Sequence, residues 1–252
     1  MRLDRYLANA GQGSRSKVRE LIRQGSVCVD GSVIRDSGHI LQEDSSGNPR
    51  GMITIGGQTV LLRRQIHLML HKPAGLVTAM DDPRLPTIAG LIPGRLLSAG
   101  LFPVGRLDRD ATGLLLLTND GILGHRLASP RWQVWKTYAV TFSGLPYAEP
   151  DRQTFAQGLL LADGQRCRPA RLDLAGPQQI LLTIHEGKFH QVKRMLLCTG
   201  RQVTALHRLS IGPLELDKQL APGESRELNS EEVRDLYALV GLIPEPPFSG
   251  RV

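Results

Sequence analysis

The chain has 252 residues, 41% of them hydrophobic, which suits one large domain or a small domain plus a larger one and excludes a disordered chain. Lys and Arg outnumber Asp and Glu by 31 to 24, a basic balance that favours a polyanionic partner. Cys28, Cys167 and Cys198 are scattered without CxxC spacing, and neither a signal-like stretch nor an apolar run of membrane-spanning length (~18 residues) occurs; a reduced, cytoplasmic protein with no disulfide framework, zinc site or membrane anchor is expected.

Leu3, Tyr6, Leu7 and Ala10 form a short helical stripe, broken at Gly11 and Gly13. Ser14 suits the N-cap of a second helix, whose Val18, Leu21 and Ile22 share one face. Arg15, Arg19 and Arg23 share another by their i, i+4, i+8 spacing. Gly25 fits a C-terminal cap. Val27 and Val29 then alternate up to Asp30-Gly31, a hairpin signal, and Val33-Ile34 lead away. Residues 42–51 read as a loop, and 53–62 as strands around Gly56-Gly57.

From Ile66 the pattern changes to strands, expected at 66–70, 114–118, 137–142, 180–185 and 203–211. Helices are expected at 122–128, 151–157, 191–198 and 231–240, the last capped by Asn229 or Ser230, with Glu232 three residues after Asn229. The expected class is α+β. A small N-terminal module of two helices plus a hairpin (1–60) precedes a mainly antiparallel mixed-β domain with flanking helices (66–243), and a Pro-rich disordered tail (244–252) follows.

Three stretches could carry chemistry. Gly105 to Leu114 is a charged, turn-rich loop running into an apolar strand, with Asp108 flanked by Arg106 and Arg109. By pattern alone it is either a reactive loop on a rigid support or a surface ion-pair loop. Tyr138 shares a strand face with Val140 and Phe142 and reads as a half-buried strand tyrosine. In 186–195 a helix start is crowded with Lys188, His190, Lys193 and Arg194, which suits phosphate contacts, a paired carboxylate or a solvated face. His207 and Arg208 sit in an apolar strand, as an RNA contact or a satisfied, partly buried pair. Phosphate-loop, HExxH, dinucleotide and GxSxG motifs do not occur.

GRLDRDATGLLLLTNDG resembles the central motif of the pseudouridine synthases, in the branch typified by the small-subunit rRNA enzyme. LMLHKPAG at 68–75, KTYAV at 136–140 and EGKFHQVKRM at 186–195 resemble the accompanying motifs in the same order. LHRLSIGPLELD at 206–217 and LAPGESRELNSEEV at 220–233 resemble the branch's C-terminal region. The first 31 residues resemble the small S4-like RNA-binding module that such enzymes share with a ribosomal protein. Two departures stand out: His71 where the family usually has Asn, and Lys188-Phe189 where it usually has Arg-Tyr.

The resemblance implies isomerisation of a uridine in small-subunit (16S) rRNA, with Asp108 as the catalytic aspartate, Tyr138 as the active-site tyrosine and Lys193 as the basic partner of Asp108. The alternatives are a large-subunit (23S) rRNA or tRNA substrate and a non-catalytic RNA-binding assembly factor. Arg106, Lys72, His190, Arg194 and Arg208 are expected to contact RNA, as is the Arg15–Arg19–Arg23 face. An Arg19→Glu change is expected to weaken RNA binding with less effect on stability. The reaction transfers no group and changes no redox state, so no cofactor or metal is expected, and the enzyme is expected to act as a monomer.

Overall fold

The run Leu114–Leu117 reads as uniformly apolar, and strand geometry divides it. Successive side chains point to opposite faces, so Leu115 and Leu117 join one core cluster while Leu114 and Leu116 join another. A strand buried on both sides belongs at the centre of a sheet. The computed structural model has it there. The structure describes residues 1–10, 12–42, 49–60, 65–97 and 99–244. Most of the expected 42–51 loop, the end of the expected 53–62 strands and the tail beyond Pro244 lie outside them.

Two units are distinct, Met1–Gln65 and Ile66–Pro244. In the first, α1 (Leu3–Asn9) and α2 (Arg15–Arg23) pack with β1 (Val27–Val29), β2 (Ser32–Ile34), β3 (Ile53–Ile55) and β4 (Gln58–Thr59). Ser14 Oγ accepts from Lys17 N at 3.3 Å and starts α2. Asp30 and Gly31 both have positive φ, 49° and 80°, which a two-residue hairpin turn of this hand requires. The β1–β2 and β3–β4 hairpins join through an antiparallel β1–β3 pairing into one sheet ordered β2-β1-β3-β4. Leu3, Leu7, Val18, Ile22, Val27 and Ile53 form its core.

The second unit runs β5 (His67–Lys72), α3 (Gly94–Leu97), β6 (Phe102–Pro103), β7 (Thr112–Thr118), α4 (Gly121–Ala128), β8 (Lys136–Gly144), α5 (Glu149–Gln157), β9 (Arg171–Gly176), β10 (Gln179–Ile184), α6 (Gln191–Leu197), β11 (Arg201–Ile211), β12 (Leu214–Glu215), β13 (Ser225–Glu227) and α7 (Ser230–Leu239). The sheet order is β13-β5-β7-β11-β8-β10-β9, with β6 on β7 and β12 on β11. Its pairings are antiparallel except β7–β11. The α+β, mainly antiparallel expectation therefore holds. Helices α5 and α6 contribute Phe155, Val192, Met195 and Leu196 to the core on one face; α4 and α7 contribute Leu123, Leu127, Leu236 and Tyr237 on the other. Asn229 caps α7, its side chain accepting from Glu231 N and Glu232 N while Glu232 accepts from Asn229 N. No described helix is long and apolar enough to cross a membrane.

The parallel pair meets at Gly113 and Arg208. A Cβ at Gly113 would overlap the carbonyl oxygen of Arg208 and lie 2.6 Å from its nitrogen. The residue also has φ +102°, so glycine is required on two counts.

Candidate active site

A cleft of about 580 Å³ opens on the face that carries α6. Asp108 lines it, on the loop between β6 and β7. Two groups hold that loop from behind. Thr78 Oγ1 donates to Leu107 O at 2.7 Å and accepts from Leu107 N at 3.1 Å. Lys72 Nζ donates to the carbonyls of Pro73, Arg109 and Ala111 at 3.0, 3.3 and 2.9 Å. Lys72 is fully buried and these three bonds use all its N–H groups. Burial pushes its amine down to about 8 against the pull of Asp110 and Asp108. The expected RNA contact of Lys72 is therefore corrected: a strand-end lysine resembles a phosphate ligand, but this one is a clamp on the Asp108 loop.

Lys193 reaches the loop from α6. Its Nζ lies 3.3 Å from Asp108 Oδ2, and 2.6 and 2.8 Å from the two oxygens of Asp110. It bridges both carboxylates rather than pairing with Asp108 alone. Burial opposes its charge, but the two aspartates outweigh burial and raise its pKa; the hydrogen bond from Lys193 lowers that of Asp110. His190, at the start of α6 with φ 49°, brings Nε2 to 3.6 Å from Asp108 Oδ1 and stacks on Phe189, with ring centroids 3.8 Å apart.

Tyr138 lines the same cleft from β8, buried on one face with Val140 and Phe142, as its spacing predicted. The structure thus gathers Asp108, Tyr138 and Lys193 in one place, from a loop, a strand and a helix. Arg106 is exposed at the cleft and makes no hydrogen bond or ion pair among the described residues.

Other expected RNA contacts have different settings. Arg194 pairs with Asp163 and donates to Phe189 O. Arg208 is 1% exposed, with Nε donating to Leu114 O at 2.7 Å, so it is part of the cleft's interior rather than an outer phosphate contact. In the first unit, Arg19 Nε lies 2.8 Å from Asp4 Oδ2, with Arg2 and Arg15 at 3.1 and 3.7 Å from the same carboxylate. Asp4 is fully buried. Burial raises its pKa, but the arginine bonds and charges prevail and hold it at about 2. The expectation that Arg19→Glu affects stability less than RNA binding is corrected: it would set a second carboxylate against the buried Asp4. Arg23 remains exposed on α2, its Nε donating to Arg19 O.

Sequence reasoning missed Thr78, Asp110 as the nearer partner of Lys193, and Lys136, which lines the cleft. Lys136 was detectable, since it stands two residues from Tyr138 and so leaves the same face of the strand. Thr78 carried no signal. At the His71 departure, Nδ1–H donates to Leu220 O at 2.7 Å and the ring stands edge-on to His207.

Residues 66–197 match the RNA pseudouridylate synthase family, and residues 1–45 match the S4 domain. The chain belongs to the RNA pseudouridylate synthase family. It is an isomerase with an RNA substrate. The synthase is 40% identical over 237 residues to an RNA pseudouridine synthase of Bacillus subtilis, across 92% of this chain and 97% of that one. It is 39% identical over 235 residues to the ribosomal small subunit pseudouridine synthase A of Escherichia coli, across 92% and 98%. A crystal structure of a pseudouridylate synthase shares its fold with a TM-score of 0.67 and 35% identity, covering 94% of this chain and 99% of that one.

Proposed function

We propose that this synthase converts a uridine of small-subunit ribosomal RNA to pseudouridine, with the Asp108 carboxylate as nucleophile. The observation that carries the reading is that Asp108 and Tyr138 line one cleft while Lys193 Nζ lies 3.3 Å from the Asp108 carboxylate. The cleft's volume lies within the roughly 300–1,000 Å³ of small-ligand sites, room for one extruded nucleotide. The substrate reading is supported by relatives named for the ribosomal small subunit, at 38–39% identity over nearly their full length.

The reaction breaks the bond between uracil and ribose, turns the base and rejoins it through carbon-5. The uridine must first leave its stack, at a cost of a few kcal/mol. Arg106, free at the cleft, fills the vacated place or holds a neighbouring phosphate. Asp108 supplies the carboxylate that forms the covalent intermediate. Lys193 orients it and carries the compensating charge. Tyr138 packs against the base and assists loss of the carbon-5 proton. The N-terminal unit docks on folded RNA through the exposed basic face of α2, which makes its contribution salt-sensitive.

The test is Asp108→Asn in purified enzyme with rRNA substrate. Pseudouridine formation is expected to vanish while RNA binding persists; retained activity refutes the assignment. Pseudouridine mapping of rRNA from cells with and without the gene is expected to show one site lost in the small subunit. A site lost only in large-subunit rRNA overturns the substrate.

A further inference from the structure

Two of the cations that line the cleft stand on adjacent strands. Lys136 and Arg208 both line it, Lys136 on the Tyr138 side of β8 and Arg208 directly opposite Tyr138 on β11. The Arg208 guanidinium carbon lies 6.0 Å from the centre of the Tyr138 ring. The cleft's two carboxylates are engaged elsewhere. Asp108 faces Lys193 and His190. Glu186 accepts from Arg168 N and the Gln191 amide and lies 3.8 Å from Lys188.

Neither cation is saturated. Lys136 Nζ donates to Val134 O at 3.0 Å, its single hydrogen bond among the described residues. Arg208 Nη2 is buried with no hydrogen-bond partner among the described residues, on a residue 1% exposed. Burial and the charge of Arg208 push the Lys136 amine down to about 8. Like charges held together away from water are unfavourable until an anion completes the site.

We propose that Lys136 and Arg208 receive the negative charge that develops on the uracil ring when its bond to ribose breaks. This rests on the reading of Asp108 given above. When the carboxylate attacks the sugar carbon C1′, a C–O bond forms there and the C1′–N1 bond breaks. The electron pair of that bond leaves with the base, which becomes a pyrimidinedione anion. Attack of its carbon-5 on C1′ returns the carboxylate; the carbon-5 proton is then lost and N1 gains one, so nothing is added or removed overall. A flipped nucleotide enters base first and leaves its phosphates at the rim, so interior cations meet the ring. Donors fixed where charge appears stabilise the transition state more than the ground state.

The test compares wild type, Lys136→Met and Lys136→Arg on the same rRNA substrate, after thermal unfolding confirms that each variant folds. Lys136→Met is expected to lower kcat about a hundredfold, with KM within about threefold, and Lys136→Arg to recover at least tenfold of that loss. RNA carrying 5-fluorouridine at the target, whose ring bears negative charge more readily, is expected to show an at least tenfold smaller penalty for its single-turnover consumption. Unchanged kcat, a loss confined to KM that salt modulates (a phosphate contact), or equal penalties for both bases would overturn the proposal. If Lys136→Met does not fold, the arginine variant decides, since it keeps the charge and its 5-fluorouridine ratio must match wild type. A wild-type enzyme that forms no pseudouridine, or an active Asp108→Asn variant, would instead refute the underlying reading.

Discussion

Lys193 stands closer to Asp110 than to Asp108, 2.6 Å against 3.3 Å. The Asp110 side chain is 73% exposed, and a pair so open to water is worth less than about 1 kcal/mol. Asp108 is the more enclosed acid, at 24% exposure. Asp110→Asn is therefore expected to keep kcat within about threefold of wild type, because Lys193 still faces Asp108. Lys193→Met removes the cation from both carboxylates and is expected to lower kcat at least a hundredfold. Single-turnover kinetics on both variants checks the ordering; a larger loss in Asp110→Asn would reverse the roles.

Thr78 closes two hydrogen bonds with the backbone of Leu107, one residue before Asp108. Thr78→Val keeps the shape and leaves a buried N–H and C=O without partners. The expected destabilisation is about 2 kcal/mol, read from the urea midpoint at unchanged m-value. Because the released segment carries Asp108, kcat is expected to fall as well, while affinity for RNA stays within a factor of two.

Gly113→Ala meets two obstacles, the backbone of Arg208 and a positive φ. Neither yields by a side-chain rotation. The expected cost is at least about 3 kcal/mol, with lower soluble yield or a fall in thermal midpoint. A variant that melts like wild type would show that the β7–β11 contact can open.

In the N-terminal unit, Asp4 is held at about 2, against 3.8 for a free aspartate. A carboxyl whose folded pKa is depressed contributes stability that is full above the unfolded value and lost as pH falls through the folded one. Stability of this unit is expected to decline between about pH 4 and pH 2, and Asp4→Asn is expected to flatten that decline while lowering stability at neutral pH. Arg19→Glu is expected to destabilise the unit at neutral pH, whereas Arg23→Glu is expected to reduce RNA affinity and its salt dependence with little change in melting. Circular dichroism melts across pH, with binding titrations at two salt concentrations, separate these outcomes.

Motif and periodicity carried the reading far where the cause is local. The Asp30-Gly31 turn, the Asn229 cap and the facing of Tyr138 all follow from neighbours within a few residues. Motif resemblance singles out Asp108, Tyr138 and Lys193; the fold sets Asp108 and Tyr138 in one cleft, with Lys193 beside Asp108. The readings that needed revision concern charges. Arg15, Arg19 and Arg23 share a helix face by spacing, but spacing cannot show that Asp4, fifteen residues before Arg19, is buried beneath it. Lys72 looks like any strand-end lysine until carbonyls 37 and 39 residues away close over it. A charged residue's role depends on its partner, and the partner here is tertiary.

Strand β11 lies between β7 and β8 in the sheet, although the chain makes it after both. The sheet's centre is thus filled late, by a strand that supplies Leu206 and Arg208 to the cleft. Long-range pairing of this kind slows folding and leaves strand edges open meanwhile. During synthesis, β7 and β8 emerge with their facing edges unpaired, and the cleft cannot exist until about residue 211 has left the ribosome. A chain made only as far as β8 is therefore no enzyme: the capacity to modify RNA waits on the arrival of β11.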